Sequence, residues 1–276
     1  MALNEITVKD KLGTDQLLKV SKFKEVIKRT KPHKHDGYFE LICIVEGEGF
    51  HQVELEKFPI QAPELYFLKP NQVHCWQFTA IPKGFVLLFK EQFFDPVTEA
   101  PILNQIQNLN TITRISLVDH AVSVGLFEEM RKEYENPNSY SKDLISGYLR
   151  AIFGRILQLS QVGSGVHKME DSLFRKYQKL LAEKCPELHL VSEFAALLNT
   201  TPQNLNAVCR KFSKRSAGEH LADQLSLEAK RFILHTDLSM NEIADRLAFN
   251  DASYFTKFFK KQTGLTPLQF RGQYFQ

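Results

Sequence analysis

Four residues in the first third of the chain carry metal-donor chemistry. His33 and His35 stand two apart, Glu40 follows five positions after His35, and His74 comes later. Imidazole with carboxylate is a donor set that suits iron, manganese or zinc. Two histidines at i and i+2 project to one face of a strand. Glu40 has the wrong parity for that face unless Asp36 and Gly37 make a bulge or a turn. Metal ligation, the lining of a polar pocket, and plain surface or structural duty all stay open for these residues. A second set lies near the C-terminus, where Ser253, Thr256, Lys257, Lys260 and Lys261 are threaded between Tyr254, Phe255, Phe258 and Phe259. The aromatic residues recur at helical spacing and mark an inner face. The hydroxyl and amino groups between them point elsewhere, where they can hydrogen-bond base edges or pair with phosphates.

The elements that must position this second set can be read from punctuation. Ser239 with Glu242 is a capping box that starts a helix, and Ile243, Ala244 and Leu247 give it an apolar face. Asn250 and Asp251 break the pattern and cap the next helix, which Gly264 ends. Thr266 followed by Pro267 opens a last short helix. Two helices joined by so short a turn have helix-turn-helix geometry, and the second can enter the DNA major groove. An earlier stretch repeats the plan. Val191 to Leu198 is an amphipathic helix, Asn199 and Thr200 are the turn, and Thr201 with Pro202 starts the next helix. Leu205, Val208, Cys209 and Phe212 form its apolar stripe, among Arg210, Lys211, Lys214 and Arg215. Between the copies, Ala217 to Thr236 reads as one helix, about 30 Å long at about 1.5 Å per residue. A turn of DNA is about 34 Å, so such a spacer can hold two recognition helices in successive major grooves.

Ile243-Ala244, Phe249, Ser253-Tyr254-Phe255, Lys257, Phe259-Lys260, Gly264, Thr266-Pro267 and Phe270-Arg271 closely resemble the second helix-turn-helix of the AraC family of transcription regulators. Phe194-Ala195 and Leu205 stand in the earlier copy where Ile243-Ala244 and Phe255 stand. That copy is the more divergent, with Cys209-Arg210 in place of Phe-Lys. The family usually has glycine where this chain has Ala248. The turn must therefore accept a Cβ, which is easy only if that residue is not held at positive φ. The resemblance assigns base-edge contact to the first turns of each recognition helix: Gln203, Asn206 and Ala207 in the first, Ala252, Ser253, Thr256 and Lys257 in the second. Glutamine and asparagine pair with adenine and lysine with guanine, while Ala207 offers at most a methyl contact to thymine. Arg210, Lys211, Lys260 and Lys261 are expected on phosphates.

Residues 1 to about 110 read as β. Phe39–Val45, Phe50–Leu55, Leu65–Leu68, Val73–Phe78 and Gly84–Phe89 are short runs punctuated by glycine and proline, as in a sandwich or barrel. His33, His35, Glu40 and Gly47 resemble the first motif of the cupins, and Pro70 to His74 a loose form of the second. The resemblance implies a cupin-like sensor barrel without metal. We therefore expect no metal or other cofactor, and His33, His35, Glu40 and His74 lining a ligand pocket. Two helices follow, Ser116–Glu135 with Leu117, Val118, Ala121, Val122, Phe127 and Met130, and Asp143–Leu159 with a near-heptad seam of Ile145, Tyr148, Leu149, Ile152, Phe153, Ile156 and Leu159. One is expected to pack on the barrel; the resemblance implies that such helices form a homodimer.

The 276 residues suffice for two domains. No apolar run is long enough for a membrane span, no signal peptide is visible, and Cys43, Cys75, Cys185 and Cys209 have neither metal-type spacing nor the density of a disulfide framework. A cytoplasmic protein is expected. Residues 166–276 hold 16 basic and 12 acidic side chains against 19 and 20 in the remainder, so the basic excess sits with the helix-turn-helix copies. The expectation is an α+β multidomain chain: a cupin-like β-barrel with helices over 1–160, a linker over 161–169, and an all-α double helix-turn-helix over 170–276. Its expected function is sequence-specific binding of double-stranded DNA to regulate transcription, with no enzymatic activity. The transcription machinery is an expected partner, the membrane is not, and a small molecule or a protein partner acts at the barrel. The alternatives are a metal-dependent cupin enzyme with an appended DNA module, and a regulator with no small-molecule ligand.

Overall fold

The computed structural model describes residues 5–27, 29–110, 112–117, 120–160 and 172–274. The chain divides into two compact units, residues 7–167 and residues 168–276 together with 1–6. The linker expected over 161–169 and Val118 lie outside the described residues.

Among its described residues the first unit holds ten strands: β1 (Thr7–Val8), β2 (Leu18–Lys22), β3 (His33–Lys34), β4 (Phe39–Glu46), β5 (Gly49–Val53), β6 (Glu56–Pro59), β7 (Glu64–Leu68), β8 (His74–Phe78), β9 (Lys83–Phe89) and β10 (Arg114–Ser116). They form two five-stranded sheets, ordered β1-β3-β8-β5-β6 and β10-β7-β4-β9-β2. Strand β4 carries the logic of this unit. It lies between β7 and β9, and Phe39 through Ile44 are all buried. Strand alternation divides them. Phe39, Leu41 and Cys43 join the larger apolar core, whereas Ile42 and Ile44 join a smaller one with Val53, Tyr66, Leu68, Trp76 and Phe78. Glu40 has the parity of the second group. The turn that the parity argument required is present: Gly37 has φ 74°, and the chain passes there from β3 in one sheet to β4 in the other.

Helices α1 (Ala100–Leu109), α2 (His120–Glu135) and α3 (Ser141–Leu159) complete the larger core. Two sequence expectations are corrected here. Residues 100–109 fall in the stretch read as β, but Pro101 starts a helix that buries Ile102, Ile106 and Leu109. The helix expected from Ser116 begins at His120, because Ser116 is the last residue of β10, paired with Glu64 of β7. The α3 seam is also spent within the unit. Ile145, Leu149, Ile152, Phe153 and Ile156 are buried, with Phe153 edge-on to Phe67 at 6.2 Å between ring centroids.

The second unit is helical: α4 (Ser172–Lys184), α5 (Val191–Leu197), α6 (Pro202–Ser213), α7 (Ala217–His235), α8 (Met240–Arg246), α9 (Ala252–Thr263) and α10 (Pro267–Tyr274). Its caps explain its boundaries. The Thr201 hydroxyl accepts from the Asn204 amide and the Asp251 carboxylate from the Tyr254 amide. Ser216 with Glu219 and Ser239 with Glu242 form reciprocal capping boxes. Gly264 ends α9 at φ 81°. Helix α7 runs nineteen residues and is held at both ends. Near its start, the Ala217 amide donates to the Asn206 side-chain oxygen at 3.0 Å, and the Tyr177 hydroxyl donates to the Ala217 carbonyl. Near its end, the Arg271 guanidinium donates to the carbonyls of Ile233 and Leu238, each at 2.9 Å.

Candidate functional site

Helices α6 and α9 are the same device built twice. Fifty positions apart they bury and expose the same places: Leu205 and Phe255 are buried, as are Cys209 and Phe259. Gln203, Ala207, Arg210 and Lys211 on α6 are exposed, and so are Ser253, Lys257, Lys260 and Lys261 on α9. Ala252, Asn206 and Thr256 are half-buried. Spacing of three and four residues puts each exposed set on one helix face, so the structure aligns most of the candidate contact residues as two similar strips. The cores beneath are aromatic. Phe249 lies 5.4 Å from Phe255 and 5.2 Å from Phe258 between centroids.

Three details differ from the sequence reading. Ala248 has φ 53°; the turn does not avoid positive φ. Asn199 occupies the matching place in the first copy at φ 51°. Each turn closes in the same way: the Thr200 amide donates to Ala195 O and the Phe249 amide to Ala244 O, both at 2.9 Å. Asparagine tolerates this left-handed conformation, whereas alanine carries it against a Cβ clash. Next, the Asn206 amide is engaged on both sides. Its nitrogen donates to Pro202 O at 2.9 Å and its oxygen accepts from Ala217, so it ties α6 to α7. Finally, Tyr254 belongs to the apolar stripe by spacing but is 59% exposed. It and exposed Asn204 extend the two strips, and the alignment of the two copies, which sets Tyr254 fifty positions after polar Asn204, is the signal that could have found them.

In the first unit the four pocket candidates converge. His33, His35, Glu40 and His74 are all buried, and one ring nitrogen from each histidine falls within 4.8 Å of the others. His35 Nε2 stands 3.1 Å from His74 Nε2 and 3.3 Å from Glu40 Oε1; His74 Nε2 stands 3.5 Å from Glu40 Oε2. The structure adds residues that sequence reasoning missed. Lys11 donates to Glu40 Oε1 at 2.7 Å. His51 Nε2 lies 3.1 Å from His74 Nδ1, with Trp76 stacked on its ring at 3.5 Å. The Tyr38 hydroxyl is 2.9 Å from His35 Nδ1. His51 could have been found from period-two alternation, since it and Val53 are the buried residues of β5. Burial pushes His33 and His35 down to about 4 and holds His51 and His74 well below their ordinary value, so the four imidazoles are neutral at pH 7. The donor chemistry fits a divalent transition metal: three imidazoles and a carboxylate, with Glu40 Oε2 buried and without a hydrogen-bond partner.

All four cysteines are buried free thiols, and burial raises Cys43 to about 12 and Cys209 to about 11, which leaves them unreactive. Among the described residues no helix is long and apolar enough to cross a membrane.

Two helix-turn-helix units carried on one connecting helix, following a two-sheet domain in the chain, define a DNA-binding regulator. Residues 194–273 match the family described as a helix-turn-helix domain, and residues 28–94 match the AraC-like ligand binding domain. The HTH-type transcriptional activator RhaR of Cronobacter sakazakii is 21% identical over 252 residues, spanning 88% of this chain and 87% of that protein. The lactose operon transcription activator of Staphylococcus xylosus is 23% identical over 252 residues, spanning 84% and 82%. ToxT of Vibrio cholerae aligns in structure over 93% of this chain and 98% of its own, at a TM-score of 0.46 and 11% identity. The chain belongs to the AraC family of transcription regulators. It is a DNA-binding regulator with an N-terminal ligand-binding domain, and not an enzyme.

Proposed function

We propose that the two exposed strips are two reading heads set in successive major grooves of one operator. The matched exposure of α6 and α9 carries this reading. Gln203 and Ala207 meet base edges from the first head; Ala252, Ser253, Thr256 and Lys257 do so from the second. Arg210, Lys211, Lys260 and Lys261 bind phosphates and set the register. Asn206, committed to Pro202 and Ala217, holds the first head on its spacer instead of touching a base. The nineteen residues of α7 span about 28 Å at about 1.5 Å per residue, close to one turn of DNA. Residues 161–169 act as the linker to a cupin-like sensor barrel, whose ligand changes how the heads are presented to DNA and to the transcription machinery. The protein acts in the cytoplasm as a homodimer. Its dimer face lies away from the α3 seam, which is consumed in the core.

The test is to map bound sites genome-wide, then measure Lys257→Ala and Lys260→Ala on the derived operator and on random DNA. Lys257→Ala is expected to cost about 1–3 kcal/mol on the operator and to relax preference at one base pair. Lys260→Ala is expected to weaken both DNAs alike and to lower the salt slope by about 1. Equal loss on both DNAs for Lys257→Ala removes it from the base contacts.

A further inference from the structure

We propose that the two reading heads are joined directly, by an aromatic seam beside α7, and that His189 and Phe258 are positioning residues that fix the half-site spacing the protein accepts. The inference rests on the reading that both heads engage one operator, and adds to it a contact between them.

The repeat exposes the seam at two places where the copies differ. Phe258 of α9 stands fifty positions after Val208 of α6. Both are half-buried, and both pack against the first head's core of Tyr177, Phe194, Leu205 and Cys209. Val208 does so from within its own head, whereas Phe258 reaches that core from the other. The turns differ in the same sense: Phe249 closes the second where Thr200 closes the first. The buried Phe249 ring lies 5.2 Å from Phe258 and 4.7 Å from His189 between centroids, the latter pair edge-on at 67°.

His189 belongs to the first head. It sits between α4 and α5, where its amide and that of Leu190 donate to Glu193 Oε2 at 3.1 and 2.8 Å and fasten this connection to α5. Its Nε2 is buried without a hydrogen-bond partner. A polar atom so placed opposes folding, so what the site uses is the edge-to-face ring contact. The waist of α7 is an independent observation. A helix that alone bridged two separate heads would show its middle to water. Glu228 and Arg231, in that middle, are buried and ion-paired, and charged side chains are seldom so covered. Cys185, the residue after α4, lies close enough for both charges to act on its thiol, so the connection carrying His189 starts at this covered waist. A seam that locks the heads in advance lowers the ordering cost of docking both, at one spacing only.

The test uses the full-length chain with His189→Ala, His189→Phe or Phe258→Ala. Amide hydrogen exchange is first read by mass spectrometry without DNA. His189→Ala should speed exchange at least about threefold in α9, in the other head, and Phe258→Ala should do so in α5. His189→Phe keeps a ring and drops the unpartnered nitrogen, so it should leave both at the unsubstituted rates. Mobility shifts are then measured on the mapped operator and on one lengthened by a single base pair between half-sites. The unsubstituted chain should bind the longer operator at least about tenfold more weakly. In His189→Ala and Phe258→Ala that ratio should fall to about threefold or less, and His189→Phe should keep it. Exchange changes confined to the substituted head overturn the seam. The full ratio retained in both alanine variants overturns the positioning role. An unsubstituted chain indifferent to spacing would overturn the two-head reading together with that role, while exchange still decides the seam. If Phe258→Ala proves misfolded by circular dichroism, the two His189 variants decide alone.

Discussion

Ala248 holds a left-handed turn that glycine would hold freely. Replacing it removes a strain of about 1–2 kcal/mol per residue, offset in part by glycine's greater freedom in the unfolded chain. Ala248→Gly is expected to raise the melting temperature of the helical unit by a few degrees; a lower melting temperature in calorimetry would contradict the assignment of strain. The buried histidines make an opposite kind of demand. For His33 and His35 the folded values, about 4, lie below the ordinary 6.5, so between those limits the unfolded chain binds more protons. The β-rich unit should keep the stability these two groups contribute above pH 6.5 and lose it progressively down to pH 4. Chemical denaturation at stepped pH checks this, and a flat profile across that window would show that His33 and His35 are not buried neutral. The residue types at these places are legible in the sequence. Their environments are not, because backbone φ at Ala248 and the tautomer at His35 depend on partners brought in from elsewhere in the fold.

At the level of elements, capping chemistry is the most readable signal. The Ser239–Glu242 box and the Thr201, Asp251 and Gly264 caps each appear where local sequence places them, since a cap needs only neighbours within four residues. Helix α1 escapes a sequence reading because its apolar residues Ile102, Ile106 and Leu109 are diluted by Asn104, Gln105, Gln107 and Asn108, although Pro101 announces it. The start of α2 is hidden because Arg114–Ser116 is a strand by virtue of its pairing with β7, a long-range fact. The heptad-like seam of α3 is visible, but its residues alone do not say whether a second chain or its own barrel covers it. Leu149, fully buried on that seam, tests the outcome. Leu149→Ala should cost about 2–5 kcal/mol of stability, read by urea denaturation. A change confined to oligomeric state, with stability kept, would place the seam at a subunit interface. Arg271 plays a comparable part in the other unit. Arg271→Met leaves the carbonyls of Ile233, in the last turn of α7, and Leu238, just beyond it, without their guanidinium donor and should cost about 1–3 kcal/mol, by the same measurement.

Across the whole molecule, two compact units divide the work. One surrounds a charged and imidazole-rich interior; the other displays hydrogen-bonding and cationic strips outward. The sequence discloses that division through composition, with β-type runs first and capped helices later, and through the excess of basic residues in the second half. It does not disclose that the first unit's interior holds Lys11 against Glu40, because those residues are 29 positions apart and belong to no shared pattern.

Helix α7, fastened by Asn206 at one end and by Arg271 at the other, acts as a fixed ruler, and a ruler has phase as well as length. One base pair inserted between the two half-sites turns the second groove by about 34–36° and moves it about 3.4 Å; ten restore the angle but add about 34 Å of distance. A tethered pair of heads would forgive the second change. This pair should forgive neither, so electrophoretic mobility shifts on operators lengthened by one, five and ten base pairs should all show the loss of one head's contribution. Recovered affinity at ten would mean that the heads are strung on a flexible line. The target sites of this regulator should therefore keep one invariant internal spacing, however far their letters drift.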